Sequence, residues 1–210
     1  MHFTLFYIMH NLPSIYHFMP ESIIIEDYSP EWAVTFEQLK AIYQSHLNHL
    51  IIGIEHVGST SVVGLAAKPV IDIDIIIDNK GTLHEVIRKL KSLGYDYRGN
   101  LGISDREAFK CQTEHTPIDG TMKIWPKHHL YVCPSDSLSL KNHLTLRNFL
   151  RDNPEKAKAY GELKKKLALE NPYDINLYIE RKTPFIVEVL KNGDFNETEL
   201  ENITQENLQK

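Results

Sequence analysis

Cysteine is nearly missing from this chain. Only Cys111 and Cys133 occur in 210 residues, and no Cys-x-x-Cys pair exists. That excludes a disulfide framework and a cysteine-based zinc site, and it points to a reducing cytoplasm. Long apolar runs are missing too. No stretch approaches the ~20 residues needed to cross a bilayer, so no membrane partner is expected. Nor is there a basic excess: 23 Lys and Arg stand against 28 Asp and Glu, a formal net charge of −5. That balance argues against broad, sequence-independent binding to nucleic acid. Two well-known motifs are absent as well. Five residues separate Gly58 from Gly64, and Lys68 precedes Pro69, so there is no P-loop. No Gly-x-Ser-x-Gly elbow occurs.

What remains is the composition of an ordinary globular protein, 42% hydrophobic and 24% charged. The length fits one domain, with room for a helical appendage. Residues 1–20 are apolar and aromatic, but Asn11, Pro13 and three histidines interrupt them. Without a basic leader or a clean apolar core they read as an extension outside the fold, not a signal peptide. Residues 23–25 read as an edge strand. Ser29 and Pro30 then start a helix whose apolar residues recur at helical spacing. Residues 51–57 and 70–77 read as strands, and 82–93 as a helix stopped by Gly94. Short strands are expected near 95–98, 108–112, 121–125 and 129–133. Helices are expected at 138–151, 154–170 and 174–191. The polar segment from 192 is expected either as a short helix or as a loose tail. The fold class is therefore mixed α/β, that is α+β. A small mixed sheet flanked by helices occupies residues 21–135. A helical part of the same unit follows at 136–191, with a polar tail at 192–210.

Chemistry concentrates between His56 and Asp74. Alternation along a strand puts Asp72 and Asp74 on one face, ~7 Å apart at Cα. Ile71, Ile73, Ile75 and Ile77 take the other face, toward the core. Two carboxylates this close repel unless a cation lies between them, and an oxygen-only pair suits Mg²⁺. Two aspartates on a solvated strand face are the plainer alternative. Upstream, Gly58 allows close backbone approach to a phosphate. The hydroxyls of Ser59, Thr60 and Ser61 can donate to phosphate oxygens. By itself this is an ordinary turn with a serine cap. The combination is more telling, because it sets a phosphate cradle beside a metal site.

This layout resembles the nucleotidyltransferase superfamily, the DNA polymerase β-like fold, whose signature is a Gly-Ser pair followed by an Asp-x-Asp strand. The full string from His56 to Ile75 resembles the hallmark of the GrpB-like family, a bacterial branch of that superfamily. Flanking features resemble the family too. They are Tyr28 to Trp32, Arg106 before Phe109, His129 to Val132, Leu146 to Arg151, and Tyr178 with Lys182 ahead of Phe185. The resemblance covers about residues 23–191. It implies a nucleotidyltransferase-like fold that holds Mg²⁺ or Mn²⁺ on Asp72 and Asp74 and a nucleoside triphosphate on the Gly58 turn. The chain departs from the superfamily in one respect. A third carboxylate is usual on the neighbouring strand, where this chain has His129 and Tyr131 facing the site. Glu114 or Asp119, on a nearby loop, are alternative sources. The family often has a histidine where Tyr131 stands and an aspartate where Asn148 stands.

Other residues are candidates with plainer alternatives beside them. His129 is a general base or metal ligand, or a histidine hydrogen-bonded within the sheet. His56, next to the Gly-Ser turn, is a weaker case of the same kind, and His128 reads as structural. Arg147 and Arg151 share a helix face and suit phosphate, or they pair with Asp152 or Glu155. Tyr178 and Lys182 share another face, where they would stack on a base and neutralise a triphosphate, or simply pack. Lys68 and Arg106 are further phosphate candidates. The expectation is a cytoplasmic protein that binds a small-molecule nucleotide with Mg²⁺ and transfers a nucleotidyl group to an unidentified small acceptor. The alternatives are a nucleotide- or metabolite-binding module without turnover, and a scaffold that keeps only the fold.

Overall fold

A computed structural model describes residues 21–208. The extension expected at residues 1–20 lies outside the described residues. Helix α1 (Glu31–Leu47) leads into β1 (Gly53–Val57) and β2 (Ile71–Ile77). Then come α2 (Leu83–Ser92), β3 (Tyr95–Tyr97), β4 (Glu107–Cys111) and β5 (His128–Pro134). Four helices complete the described chain: α3 (Leu138–Asp152), α4 (Pro154–Glu170), α5 (Ile175–Leu190) and α6 (Glu197–Leu208). The strands form one mixed sheet in the order β1-β2-β5-β4-β3. The pair β2–β5 is parallel, and the other neighbours are antiparallel. The α+β class expected from the sequence is the one observed.

The sheet has one apolar face and one polar face because its strands alternate. Ile71, Ile73, Ile75, Ile77, Leu130 and Val132 are buried in a single core with Phe36, Leu39, Tyr43 and Leu47 of α1 and Val86 and Leu90 of α2. A second apolar cluster joins Val62 and Leu65 to residues of α3, α4, α5 and α6. The helical half therefore docks against the turn that follows β1. Side-chain caps start several helices: Ser137 Oγ accepts from Leu140 N at the head of α3, and Asp174 Oδ1 from Leu177 N at the head of α5.

Two local expectations need correction, and one left open is settled. Residues 23–25 form no strand of the sheet. Ile23 instead packs with Leu167, Ala168 and Tyr178, and only Glu26 makes a lone bridge, to Ala67. Residues 121–125 also form no strand. Met122 and Ile124 project outward, while Trp125 alone turns into the core, tied by its amide to the Glu114 carbonyl. The polar segment after residue 192 contains α6. Asn196 and Glu199 exchange side-chain-to-amide bonds of 2.9 Å, a capping box, and Ile203 is buried.

A polar chain crosses the main core. Tyr43 and Tyr95 hydroxyls lie 2.6 Å apart, and Tyr95 is 2.6 Å from His128 Nε2. His128 Nδ1 donates to the Pro126 carbonyl, which leaves Nε2 as acceptor and sets the order of donors as Tyr43, Tyr95, His128. Burial lowers the His128 pKa and raises those of both tyrosines, so each stays neutral. Tyr95→Phe strands the Tyr43 donor and leaves His128 Nε2 only the weak Cys111 thiol donor at 3.4 Å, whereas Tyr43→Phe strands neither donor. Urea unfolding is expected to show a loss of about 1–3 kcal/mol per orphaned group for Tyr95→Phe and a clearly smaller loss for Tyr43→Phe.

Candidate active site

The polar face of the sheet carries the site. Register places Glu55 opposite Asp74, and Asp72 and Asp74 opposite His129 and Tyr131. Asp72 is half-buried, while the Asp74 side chain has 0% exposure. Each carboxylate meets a histidine. His129 Nδ1 donates to Asp72 Oδ1 at 2.9 Å, and His143 Nδ1 of α3 donates to Asp74 Oδ2 at 2.7 Å. Burial by itself would raise the Asp72 pKa. The His129 hydrogen bond and the charges of His129, His143 and Lys182 outweigh it and hold the carboxyl below its ordinary value. Asp74 Oδ1 is buried with no hydrogen-bond partner among the described residues. A buried carboxylate oxygen without a partner is costly, and a cation is the simplest way to satisfy it.

Gly58 sets the distance between this pair and the preceding turn. Its φ is +66°, and a Cβ there would overlap the Asp72 carboxylate. Only glycine admits both the conformation and the approach. The segment that follows is a single 3-10 turn over Ser59–Ser61. Ser59 Oγ accepts from Lys164 Nζ of α4 at 2.7 Å. Lys164 is 2% exposed, and burial followed by the charge of Lys182 pushes its pKa well down. Lys182 of α5 is half-buried, and its pKa is lowered by burial while Asp72 pulls it back up and Lys68 adds to the lowering. Lys164 and Lys182 therefore gather beside Asp72, with Lys68 close enough to act on Lys182. None of them has an ion-pair partner among the described residues.

The structure gives several expected phosphate residues other roles. Thr60 Oγ1 shares a hydrogen bond with His56 Nε2 and reaches the Val70 carbonyl; Ser61 Oγ donates to Gly58 O. Both hydroxyls close the turn from within. Arg147 binds Glu55 Oε2 and the His56 carbonyl, and Arg151 grips the Ser61 carbonyl with Nε and Nη2. Neither arginine pairs with Asp152 or Glu155. Together with His143 they form one stripe of α3, spaced four apart, that clamps β2, β1 and the turn. Arg106 is buried, its guanidinium 4.3 Å above the Tyr131 ring. Tyr178 is 2% exposed and leaves no face for a base; Lys182 Nζ sits 5.2 Å from its ring. His56 stacks on Phe36 of α1 at 4.6 Å on the opposite face of the sheet, so it is a core histidine. Neither Glu114 nor Asp119 lies in a strand, and Asp119 is bonded to Thr121.

Sequence reasoning missed His143, Lys164 and Glu55. Lys164 did leave a trace: it interrupts the apolar stripe formed by Tyr160 and Leu167, which is unusual for a solvated lysine. Among the described residues no group of three or more His, Cys, Asp or Glu is arranged as a metal cage. Two carboxylates with one orphaned oxygen still fit a cation of the Mg²⁺ type, which takes its remaining oxygens from phosphate and water. Among the described residues no helix is long and apolar enough to cross a membrane.

The fold and the paired carboxylates define a mixed-sheet protein with a polar, doubly charged site at the seam with its helical half. The chain belongs to the GrpB family: the sequence pattern described as GrpB protein matches residues 22–192. The UPF0157 protein YqkA of Bacillus subtilis (strain 168) is 32% identical over 183 residues, covering 87% of this chain and 50% of that protein. The chain thus spans half the length of that relative. The glutamate-rich protein GrpB of Alkalihalophilus pseudofirmus is 28% identical over 169 residues, covering 80% of this chain and 94% of that one. The crystal structure of the conserved protein GrpB from Enterococcus faecalis superposes with a TM-score of 0.67 at 31% identity, covering 80% of this chain and 98% of that chain.

Two outcomes follow from the geometry. Gly58→Ala is expected to cost at least about 2 kcal/mol in urea unfolding, through strain and collision with Asp72. Gly64→Ala, where φ is +79° but the space is open, is expected to cost only about 1 kcal/mol. His56 supplies the second. Burial, against a smaller pull from Asp72, brings its pKa down to about 4 from 6.5. The neutral form is the one the fold holds, so its contribution is complete above pH 6.5 and fades as pH falls toward 4. Wild type is expected to lose about 3 kcal/mol more than His56→Gln across that window, measured by unfolding at each pH.

Proposed function

We propose that this site binds a nucleoside triphosphate with Mg²⁺ or Mn²⁺ and transfers its nucleotidyl group to a small acceptor. One observation carries the reading: a buried lysine without an ion pair among the described residues, Lys164, is held on Ser59 directly beside the Asp72–Asp74 pair. Buried cations call for an anion, and the adjacent buried carboxylate oxygen calls for a cation. A metal-bound polyphosphate supplies both at once. Asp72 and Asp74 would hold the cation, which would neutralise charge on the phosphates.

In this reading Ser59, Lys164, Lys182 and Lys68 orient the triphosphate. An acceptor hydroxyl or amine attacks the α-phosphorus. The new bond to phosphorus forms as the bond to the bridging oxygen breaks, and pyrophosphate departs with that electron pair. His129, whose Nδ1 is committed to Asp72, offers Nε2 for the acceptor's proton. Positioning and charge stabilisation would account for most of the rate. Two free cysteines, Cys111 and Cys133, accord with a reducing cytoplasm.

A second reading, binding without turnover, draws on a specific feature. Both carboxylates are already engaged by histidines, and β5 brings no third one. Titration calorimetry with ATP and GTP, each with and without Mg²⁺, separates the readings from a scaffold. Metal-dependent binding lost in Asp72→Asn is expected; no binding in any condition would exclude both nucleotide readings. Pyrophosphate release in a screen of small acceptors then distinguishes transfer from binding alone. Lys164→Met is expected to weaken Mg·ATP about tenfold or more while leaving unfolding stability unchanged or raised, since it removes a desolvated charge. A loss of stability without loss of affinity would assign Lys164 a structural role.

A further inference from the structure

A cleft of about 940 Å³ opens beside the site, and His129 and Tyr131 form its shared wall. It runs from Lys68 and Val70, beside the proposed triphosphate side, along β4 and the loop that follows it. Its size suits a small organic molecule. Exposed apolar side chains line it, including Ile24, Leu101 and Ile175, and contact with a ligand would bury them. Ala108 of β4 lies opposite Tyr131 in register, and its lack of bulk keeps that part of the cleft open.

The charges along the cleft are biased. Lys127 is paired with Glu21 and contributes no net charge. Lys68 and Glu114 line it at other points with opposite charges, and Arg98 and Lys110 also line it and have no carboxylate partner among the described residues. The Arg98 amide donates to the Ala108 carbonyl, so Arg98 lies across from Ala108, two residues from Lys110. Asp96, across from Lys110, is held at Oδ1 by Gln112 Nε2. In a chain of net charge −5 this is a local excess of cations over an apolar surface.

We propose that this cleft is the acceptor site and that it takes a small organic anion, an apolar body ending in a phosphate or carboxylate held by Arg98 and Lys110. The proposal rests on the reading of Ser59, Lys164 and Lys182 as the triphosphate side, which leaves the His129 side for the second substrate. A nucleophilic group at the near end of the anion would lie against His129, with the charged end at the far strands. Guanidinium and ammonium groups recognise such head groups directly.

The test uses the full chain and a fluorescent probe of this chemistry, 8-anilinonaphthalene-1-sulfonate, beside its uncharged analogue N-phenyl-1-naphthylamine. The sulfonate probe is expected to bind one site, to remain bound under saturating Mg·ATP, and to weaken about tenfold or more in Arg98→Ala/Lys110→Ala, with the uncharged analogue little affected. Hexyl phosphate or hexanoate is expected to displace it, and the better competitor identifies the head group. Displacement by neither, equal loss of both probes in the double variant, or no loss of either would overturn the proposal. Competition by Mg·ATP would also overturn it, by giving the cleft to the nucleotide. If the protein binds no ATP but the probe behaves as expected, the anion cleft stands and the transfer reading falls.

Discussion

Asp74 is a carboxylate with no exposure on β2, an interior strand of the sheet, and much of the molecule is arranged around the cost of putting it there. An isolated buried carboxylate costs several kcal/mol unless paired and hydrogen-bonded. His143 provides one bond from α3, and the other oxygen has no partner among the described residues. The same helix sends Arg147 to Glu55 and Arg151 to the Ser61 carbonyl. A single stripe of α3 thus docks the helical half onto β2, β1 and the Gly-Ser turn. On the reverse face the isoleucines of β2 are sealed against α1, so the carboxylates have a fixed platform.

The seam between the halves holds opposite charges that have not neutralised each other by direct pairing. Asp72 and Asp74 lie on the sheet side, and Lys164 and Lys182 come from the helices. They act on one another at a distance: Lys182 helps to lower the Asp72 pKa, and Asp72 raises that of Lys182. Gly58 allows the turn to press against Asp72, which brings Ser59 and its lysine next to the carboxylates. A fold that needed only stability would gain more from closing these groups into salt bridges or replacing them with apolar residues. Leaving them separated suits a ligand that carries both signs, as a metal-bound polyphosphate does.

Much of this was legible in the sequence where the signal is local. Period-two alternation at 71–77 placed both aspartates on one face and four isoleucines on the other, and alternation at 129–133 put His129 and Tyr131 on the face opposite Leu130 and Val132. The three helices from 138 to 191 were readable from caps and breakers. Orientation within the turn was not readable. A threonine, a serine and two arginines beside a Gly-Ser pair suit phosphate chemically, yet Thr60, Ser61, Arg147 and Arg151 all bind the protein's own backbone or side chains. The chemistry of those residue types is the same in either role, and only three-dimensional placement separates them. His143 and Lys164 were hidden for a related reason. Their partners, Asp74 and Ser59, lie 69 and 105 residues away in sequence. Residues 23–25 and 121–125 have strand-forming side chains but find no partner strand, since pairing is decided by the whole sheet.

The central claim is that one ligand satisfies the orphaned oxygen of Asp74 and the buried ammonium of Lys164 together. The most direct measurement is a crystal structure grown with Mn²⁺ and a non-hydrolysable ATP analogue, using the anomalous signal to locate the metal. The account predicts a metal peak within bonding distance of Asp72 and Asp74 Oδ1, with phosphate oxygens on Ser59 Oγ and Lys164 Nζ. Metal and nucleotide bound elsewhere, with Asp74 Oδ1 and Lys164 unchanged, would contradict it.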